Sequence, residues 1–426
     1  MAGPLATLGN VLNALADIFT TFGNWLTRLL GSIGASQGVI DVVLALLGSV
    51  IIVGFLLTLA LFIIWVERKV VGRIQDRIGP NRVGPWGLFQ NVADVVKLLL
   101  KEIIVPTGAD LIPFMLAPVI AVASVFLIWA ALPFTRTAVG TNVNIGVLYI
   151  VAVSSLGIMA VLMAGWSSNN KYALLGAFRA VAMLVSYEVP VILTLLVPVI
   201  LAGSMRVNDI VEAQSIWYFF AMPLAAIIFY IGNHAEAARA PFDVLEAESE
   251  IVAGFHIEYS GMAFAMFYLA EFLHAFTISA LAATLFFGGW RGPFAAQVPT
   301  LGVIYFFLKT FVIYFVNVWA RGTLPRLRID QIMSFCWKFL IPVTLLLIVA
   351  AVLVDKLAAQ IIPGYALTGG FIEMLPRTAV LFAVNLVIGV AVVAWVVRQG
   401  RRERERLAQR RIAPIERPAA GPGQAK

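Results

Sequence analysis

Four ionisable residues fall inside long apolar runs: Arg179 and Glu188 in one, Glu271 in a second and Lys309 in a third. An ionisable group at membrane depth costs about 2.5–3.5 kcal/mol on insertion scales, so each is a functional candidate. Arg179 and Glu188 would lie on opposite sides of a helix, about 13.5 Å apart along it, so they do not make a simple pair. Arg179 comes early in its run, where its side chain can snorkel to the surface. Pro190 removes the hydrogen bond to the Ser186 carbonyl, which leaves a natural place for water beside the Glu188 carboxyl. Glu271 and His274 share a helical face at i, i+3. Two readings fit these residues: ion pairs that hold helices together, or a polar path through a bundle. The spread of Glu188, Glu271 and Lys309 over three runs favours the path. A secondary transporter and a proton-translocating subunit would both need one.

A second constellation points the same way. Residues 236–258 hold Glu236, Asp243, Glu246, Glu248, Glu250 and Glu258 against Arg239, a net charge of −5. Asp243, Glu246 and Glu250 are spaced for one helical face, with Pro241 placed to start that helix. A solvated acidic face is the bland explanation. The flanking Ala253-Gly254-Phe255 and Tyr259-Ser260-Gly261 favour a carboxylate cluster tucked against basic loops, some members holding protons through raised pKa values.

The elements that must position these groups follow from composition. Of 426 residues, 61% are apolar and 12% charged, against about 45–50% and 25% in soluble proteins. That excludes a soluble enzyme. Apolar runs near 41–66, 111–132, 146–165, 173–203, 216–235, 262–288, 300–319, 339–354 and 379–397 predict about nine transmembrane helices. Lys and Arg concentrate on alternate connections, at 67–102, at 320–338 and after Arg398, which predicts an outside N-terminus and a cytoplasmic C-terminus. The first 35 residues lack the basic start and unbroken apolar stretch of a signal peptide. Leu5, Leu8, Leu12, Leu15, Phe19, Phe22, Leu26 and Leu29 recur at helical spacing, so an interfacial helix is expected there. The single cysteine, Cys336, excludes a disulfide within the chain and a cluster held by four of its own thiolates. With only His274 deep among three histidines, two-histidine haem ligation is excluded as well. Neither G-x-G-x-x-G nor a P-loop occurs, so nucleotide chemistry belongs to partners.

The first basic connection reads Glu67-Arg68-Lys69, then Gln75-Asp76-Arg77-Ile78-Gly79-Pro80-Asn81-Arg82-Val83-Gly84-Pro85, and continues amphipathically from Leu88 through Asp94, Lys97 and Lys101. Two Gly-Pro steps describe a rigid, sharply turned loop, followed by a helix lying at the surface. Such a loop can hold arginines at the membrane edge, where a polar headgroup on a lipid tail would arrive.

Here the sequence resembles the H-subunit family of bacterial respiratory complex I, the proton-pumping NADH:quinone oxidoreductase, whose mitochondrial relative is the first NADH dehydrogenase subunit. Besides the loop, the resemblance rests on Asn170-Lys171-Tyr172-Ala173, Ser186-Tyr187-Glu188, Arg239-Ala240-Pro241-Phe242-Asp243, Glu246-Ala247-Glu248-Ser249-Glu250, Glu258-Tyr259-Ser260-Gly261, Ala270-Glu271, Leu324-Pro325-Arg326, Arg328, Asp330-Gln331 and Trp337-Lys338. It covers about residues 60–345. It implies an all-α polytopic bundle with a core of eight spans. With the apolar runs and charge pattern, this gives an interfacial helix over 1–35, a core over 36–355 with a cytoplasmic amphipathic helix, an extra C-terminal hairpin and span over 356–397, and a basic cytoplasmic tail over 398–426. The resemblance also implies a chain that forms the membrane part of a quinone tunnel and couples quinone reduction to proton translocation through carboxylates.

By motif, Arg68, Arg77, Asp94, Arg321 and Arg326 would line or adjoin the tunnel, with Glu246, Glu248 and Glu250 in the acidic loop near its inner end. Glu188, Glu236 and Glu271 would lead protons or charge inward, with Asp243 and Lys309 added to that path from the charge pattern. Quinone, ubiquinone or menaquinone, would be the substrate, with no metal or flavin on this chain. Partners would be other complex I membrane subunits and peripheral iron–sulfur subunits on the cytoplasmic loops of a bacterial inner membrane. A related energy-converting hydrogenase or ferredoxin-linked complex is the alternative, and the intact Gln75–Pro85 stretch favours the quinone-linked branch. The chain departs from the family at Ala237-Ala238 before Arg239, at Val244-Leu245 before Glu246, at His256 and at Phe272; no acid is lost. The tail holds nine basic and three acidic residues and so carries +6 of the net +7, while the rest is nearly balanced. The tail reads as a cytoplasmic anchor.

Overall fold

The structure, a computed structural model, describes residues 23–412 apart from 34–35, 137, 246–250, 296–297, 363–364 and 366–368. Among the described residues every extended element is helical, and the one β-bridge joins Pro133 to Val139. Helices close their own backbone hydrogen bonds, which hydrocarbon cannot do for them. Residues 23–32 form α1, and most of the expected interfacial helix lies outside the described residues.

Among the described residues, eight helices are long and apolar enough to cross a membrane. They are α2 (Gln37–Ile74), α4 (Leu111–Trp129), α5 (Gly146–Ser167), α6 (Lys171–Ala202), α10 (Gly261–Phe286), α11 (Pro299–Thr323), α12 (Ile329–Ile361) and α13 (Leu375–Ile412). Shorter helices are α3 (Gln90–Leu100), α7 (Val207–Ala213), α8 (Tyr218–Ala221) and α9 (Pro223–Glu236).

The expected span at 216–235 is interrupted. It is broken at Met222 into α8 and α9, and the 14 residues of α9 cover about 21 Å, short of a roughly 30 Å hydrocarbon core. The break follows from Pro223, which has no N–H to continue the preceding turn. The segment still joins the two ends of the bundle. At one end Arg291 donates to the Glu212 carbonyl and to Ser215 Oγ; at the other Arg239 meets Glu67 and Glu271.

The helix at the centre is α10, 83% buried over its most apolar stretch, against 11% for α2 and for α13. Its sequence is apolar on every side and rich in alanine, so it packs against neighbours all round. It contacts α2, α3, α4, α9 and α11.

Pro190 and Pro198 lie inside α6. The Ser186 carbonyl freed by Pro190 is not left to water, as the sequence suggests. The Cys336 thiol donates to it at 3.0 Å, while Trp337 Nε1 donates to Ser186 Oγ at 3.2 Å and the Tyr187 hydroxyl to the Ile332 carbonyl at 3.0 Å. Cys336–Leu340 is a π-helical turn within α12. An irregular turn of one helix thus packs on the proline site of another, and each uses groups the other leaves open.

The 75–89 loop is as tightly turned as its glycines imply. Gly79 (φ +69°) lies so close to α2 that a Cβ would sit 3.1 Å from the Arg68 carbonyl oxygen, and one on Gly87 (φ +77°) would sit 2.5 Å from the Pro80 carbonyl. Trp65 Nε1 donates to the Trp86 carbonyl at 3.2 Å. Helix α3 then crosses α2 and α10.

The C-terminal hairpin, α12 and α13, is held by a buried ion pair. Arg377 donates from Nε and Nη2 to Asp355 at 2.8 and 2.7 Å and from Nη2 to the Leu201 carbonyl at 3.1 Å. The Tyr365 hydroxyl also donates to Asp355, at 2.7 Å. Removing one partner of a buried pair strands the other charge, at about 3–5 kcal/mol. Asp355→Leu is therefore expected to lower the thermal midpoint of the solubilised protein clearly, whereas Asp355→Glu is expected to keep most of it; differential scanning of both variants checks this.

Candidate functional site

The candidate site begins where α2 leaves the bundle. Glu67, 2% exposed, accepts from Arg239 Nη1 at 2.7 Å, from the Tyr314 hydroxyl at 2.6 Å and from Arg321 Nη1. Arg239 is 1% exposed, and its Nε lies 3.7 Å from Glu271 Oε1. Its guanidinium covers the Phe272 ring at 4.7 Å, and Arg321 approaches the same ring at 5.9 Å. Two carboxylates, two guanidiniums and a hydroxyl from α2, α10, α11 and the turn after α9 form one balanced network.

The turn that aims Arg239 inward is fixed locally. Ala238 adopts a left-handed conformation (φ +53°). His234 sets one ring nitrogen 2.7 Å from Asn317 Oδ1 and the other 2.8 Å from the Ala240 carbonyl. Pro241 does not start a helix: Pro241–Leu245 is turn and irregular backbone. Asp243 is drawn instead to Arg326, whose Nη2 donates to it at 2.6 Å. Asp243 itself thus lies outside a helix. Glu246, Glu248 and Glu250 lie outside the described residues.

From Arg239 a line of carboxylates runs into the bundle. A cavity of about 120 Å³ is lined by Glu271, Glu236, His274, His256 and Tyr268, together with Ser124 and Ser154. That is room for several water molecules. A smaller space of about 30 Å³ holds Glu188, Asn233 and Thr277. Ser154, Glu236 and His274 line both. His274 Nε2 lies 3.7 Å from Glu236 Oε1, and Ser155 donates to Glu188 at 2.5 Å. In the loop before α10, burial pushes the His256 imidazole down to about 4, so it faces the cavity uncharged at neutral pH.

The structure therefore brings Glu188, Glu236 and Glu271 together, and Arg321 to Glu67. Arg326 and Asp243 pair beside them. Lys309 is elsewhere: its Nζ donates to the Gly289 and Arg291 carbonyls at 2.9 and 2.7 Å and lies 5.2 Å from the Trp217 ring centre, at the opposite end from Arg239. It ties α11 to the connection before it, near Trp217 and away from the acids. Arg77 is exposed and donates to Gln75 at 2.9 Å.

Sequence reasoning passes over Glu67, Tyr314 and His234. The available signal for Glu67 is its place in Glu67-Arg68-Lys69, directly before the rigid loop. The same motif places Arg68, which donates to Asp94 at 2.7 Å and to Asn91 Oδ1 at 3.2 Å and so ties α3 to α2. Asn170 Oδ1 caps α6 by accepting from the Tyr172 N–H at 2.9 Å, while its Nδ2 donates to Glu258 at 2.6 Å.

The NADH dehydrogenase family model matches residues 47–352. A relative from Dehalococcoides mccartyi, named as the H subunit of NADH-quinone oxidoreductase, is 51% identical over 296 residues, which are 70% of this chain and 82% of the relative. Proteins of the same name from a Geobacillus species and from Burkholderia ambifaria are 50% and 48% identical, over 68% and 70% of this chain and 88% of each relative. The chain belongs to the H-subunit family of NADH-quinone oxidoreductase. It is thus a membrane subunit of complex I, within an oxidoreductase assembly whose other subunits are its partners. The family match ends inside α12 at Val352, before the Asp355–Arg377 pair and all of α13.

Partial burial works against the Asp94 charge, but hydrogen bonds from Arg68 and Gln90 and the nearby charges of Arg68 and Lys97 outweigh it and hold the carboxyl below its usual range. A depressed carboxyl contributes stability above its unfolded pKa of about 3.9 and loses it as pH falls through the folded value. Amide protection in α3 is expected to be level from neutral pH to about pH 5 and to fall below about pH 4. Asp94→Asn is expected to show the weakened state already at pH 7. Hydrogen exchange across 90–100 checks both.

Proposed function

We propose that this chain forms the membrane part of the quinone tunnel of a proton-pumping NADH:quinone oxidoreductase and couples quinone reduction to proton translocation. The observation that carries this reading is the succession of ionisable groups from Glu67 and Arg239 through Glu271 and Glu236 to Glu188, the last three lining two spaces with room for water.

Reduction of a quinone to its quinol takes up protons as well as electrons, so it draws positive charge toward the headgroup. At the membrane edge, beneath Arg68, Arg77, Asp94, Arg321 and Arg326, that pull acts first on the guanidiniums. Arg321 and Arg239 both hold Glu67, and Arg239 stands between Glu67 and Glu271. A guanidinium displaced toward the headgroup leaves a carboxylate with less counter-charge, which favours its protonation. Glu271 then draws a proton, and Glu236 and Glu188 follow through the water-sized spaces. In this low-dielectric setting a small displacement has a large electrostatic effect. Glu246, Glu248 and Glu250 would add negative charge at the inner tunnel, and the Asp243–Arg326 pair would hold that loop. Lys309 has the part of an anchor outside this path.

The chain itself would hold no flavin or metal, with electrons arriving through peripheral iron–sulfur subunits docked on the cytoplasmic loops of a bacterial inner membrane. The N-terminus would lie outside and the C-terminus in the cytoplasm. The basic end of α13 would then meet anionic headgroups or a peripheral partner.

In a Glu188→Gln complex that assembles normally, proton translocation is expected to fall by on the order of tenfold or more. Quinone reduction and proton uptake are measured separately in vesicles. Pumping at the unaltered rate would remove Glu188 from the path.

A further inference from the structure

Helix α9 begins inside the bundle at a break, which is a poor place for a helix to start. Its first-turn N–H groups have no intrahelical partners, and Met222 at the cap position makes no side-chain hydrogen bond to them. In water such groups are solvated; in an apolar interior they need a protein acceptor. Pro223 removes one of them by having no N–H. The next, on Leu224, donates at 2.9 Å to Asn385 Oδ1, a side chain 161 residues away in α13. The Asn385 amide in turn donates to Met222 Sδ at 3.1 Å. Asn385 is 2% exposed, and both ends of its amide are thereby used on the break.

The cap does not stand alone. One and two turns earlier on α13, Leu381 and Arg377 are also buried, and Arg377 ties this helix to Asp355 and to the Leu201 carbonyl at the end of α6. Helix α13 contacts α8, α9 and α12. All of α13 lies beyond the residues matched to the family. At its other end α9 carries His234 and Glu236 and leads into the turn that aims Arg239 at Glu67. A helix of 14 residues is a stiff rod, so where its first turn is fixed decides where its last turn sits.

We infer that the C-terminal helix is a brace for the broken pass, with Asn385 supplying in trans the cap that α9 lacks, and that through α9 it positions Glu236 and the Arg239 turn. Asn385 is a positioning residue. It touches neither the acids nor the arginines. The functional half of this inference rests on the proton-path reading above, while the cap itself stands on the hydrogen bonds alone.

The test compares Asn385→Leu, which keeps the volume without the acceptor, with Asn385→Asp, which keeps the acceptor, in the assembled full-length complex. Hydrogen exchange at Leu224 is expected to speed by about fivefold in Asn385→Leu, the equivalent of about 1 kcal/mol of capping energy, and to return toward the original rate in Asn385→Asp. Protons translocated per electron, measured per assembled complex in vesicles, are expected to fall in Asn385→Leu and to recover in Asn385→Asp. A purely structural role would lower the amount of complex and leave that ratio alone. Unchanged exchange at Leu224 would overturn the cap, and faster exchange with an unchanged ratio would overturn the positioning role. A Glu236→Gln complex run alongside separates the two claims. If it loses pumping while the Asn385→Leu ratio holds, the brace fails and the carboxylate path stands. If it pumps normally, the path fails, and the exchange arm still decides the cap.

Discussion

The structure depends on a buried carboxylate–guanidinium contact, Glu67 with Arg239. Taking either charge out of water alone costs several kcal/mol, and here Glu67 is met by three donors while Arg239 is met by Glu67, by Glu271 at 3.7 Å and by the Phe272 ring. Arg239, Arg321 and Tyr314 all direct donors at Glu67, and Glu271 stands on the far side of Arg239. The contact spans 172 residues of sequence and joins α2 to the turn after α9, with Tyr314 and Arg321 of α11 on the same carboxylate. It therefore reports on the packing of that end of the bundle. It also lies where the rigid arginine loop leaves α2, which is where charge from outside the bundle would first be felt.

Much of the architecture is legible in the apolar runs, because hydrocarbon forces every crossing segment to be long, helical and apolar. The run at 216–235 carries a local signal for its interruption, Pro223, but the break is held by Asn385, which no local pattern connects to it. The Ser186 carbonyl is a similar case. Pro190 predicts that it is freed, but the donor that takes it is Cys336, 150 residues on. The missing information in both cases is a partner distant in sequence.

The site divides the same way. Glu188 and Glu271 stand out because an acid within an apolar run is conspicuous, and the structure places both beside the water-sized spaces. Glu67 hides because an acid next to Arg68 and Lys69 reads as the edge of a basic loop. Its partners, Arg239, Tyr314 and Arg321, are all distant from it in sequence. Lys309 shows the converse: conspicuous in sequence, it is satisfied by two backbone carbonyls at the other end of the bundle. An ionisable residue at membrane depth marks a constraint, and its partners decide whether that constraint is structural or part of a path.

The charged network turns on Glu67 and Arg239 stabilising one another as a charged, buried pair. A double-mutant cycle on the assembled complex, with Glu67→Gln, Arg239→Met and both together, tests it through thermal midpoints and unfolding free energies. Each single variant strands a charge, so the pair predicts that the double variant loses less than the sum of the singles, with a coupling on the order of 1–3 kcal/mol. Strictly additive losses would contradict it.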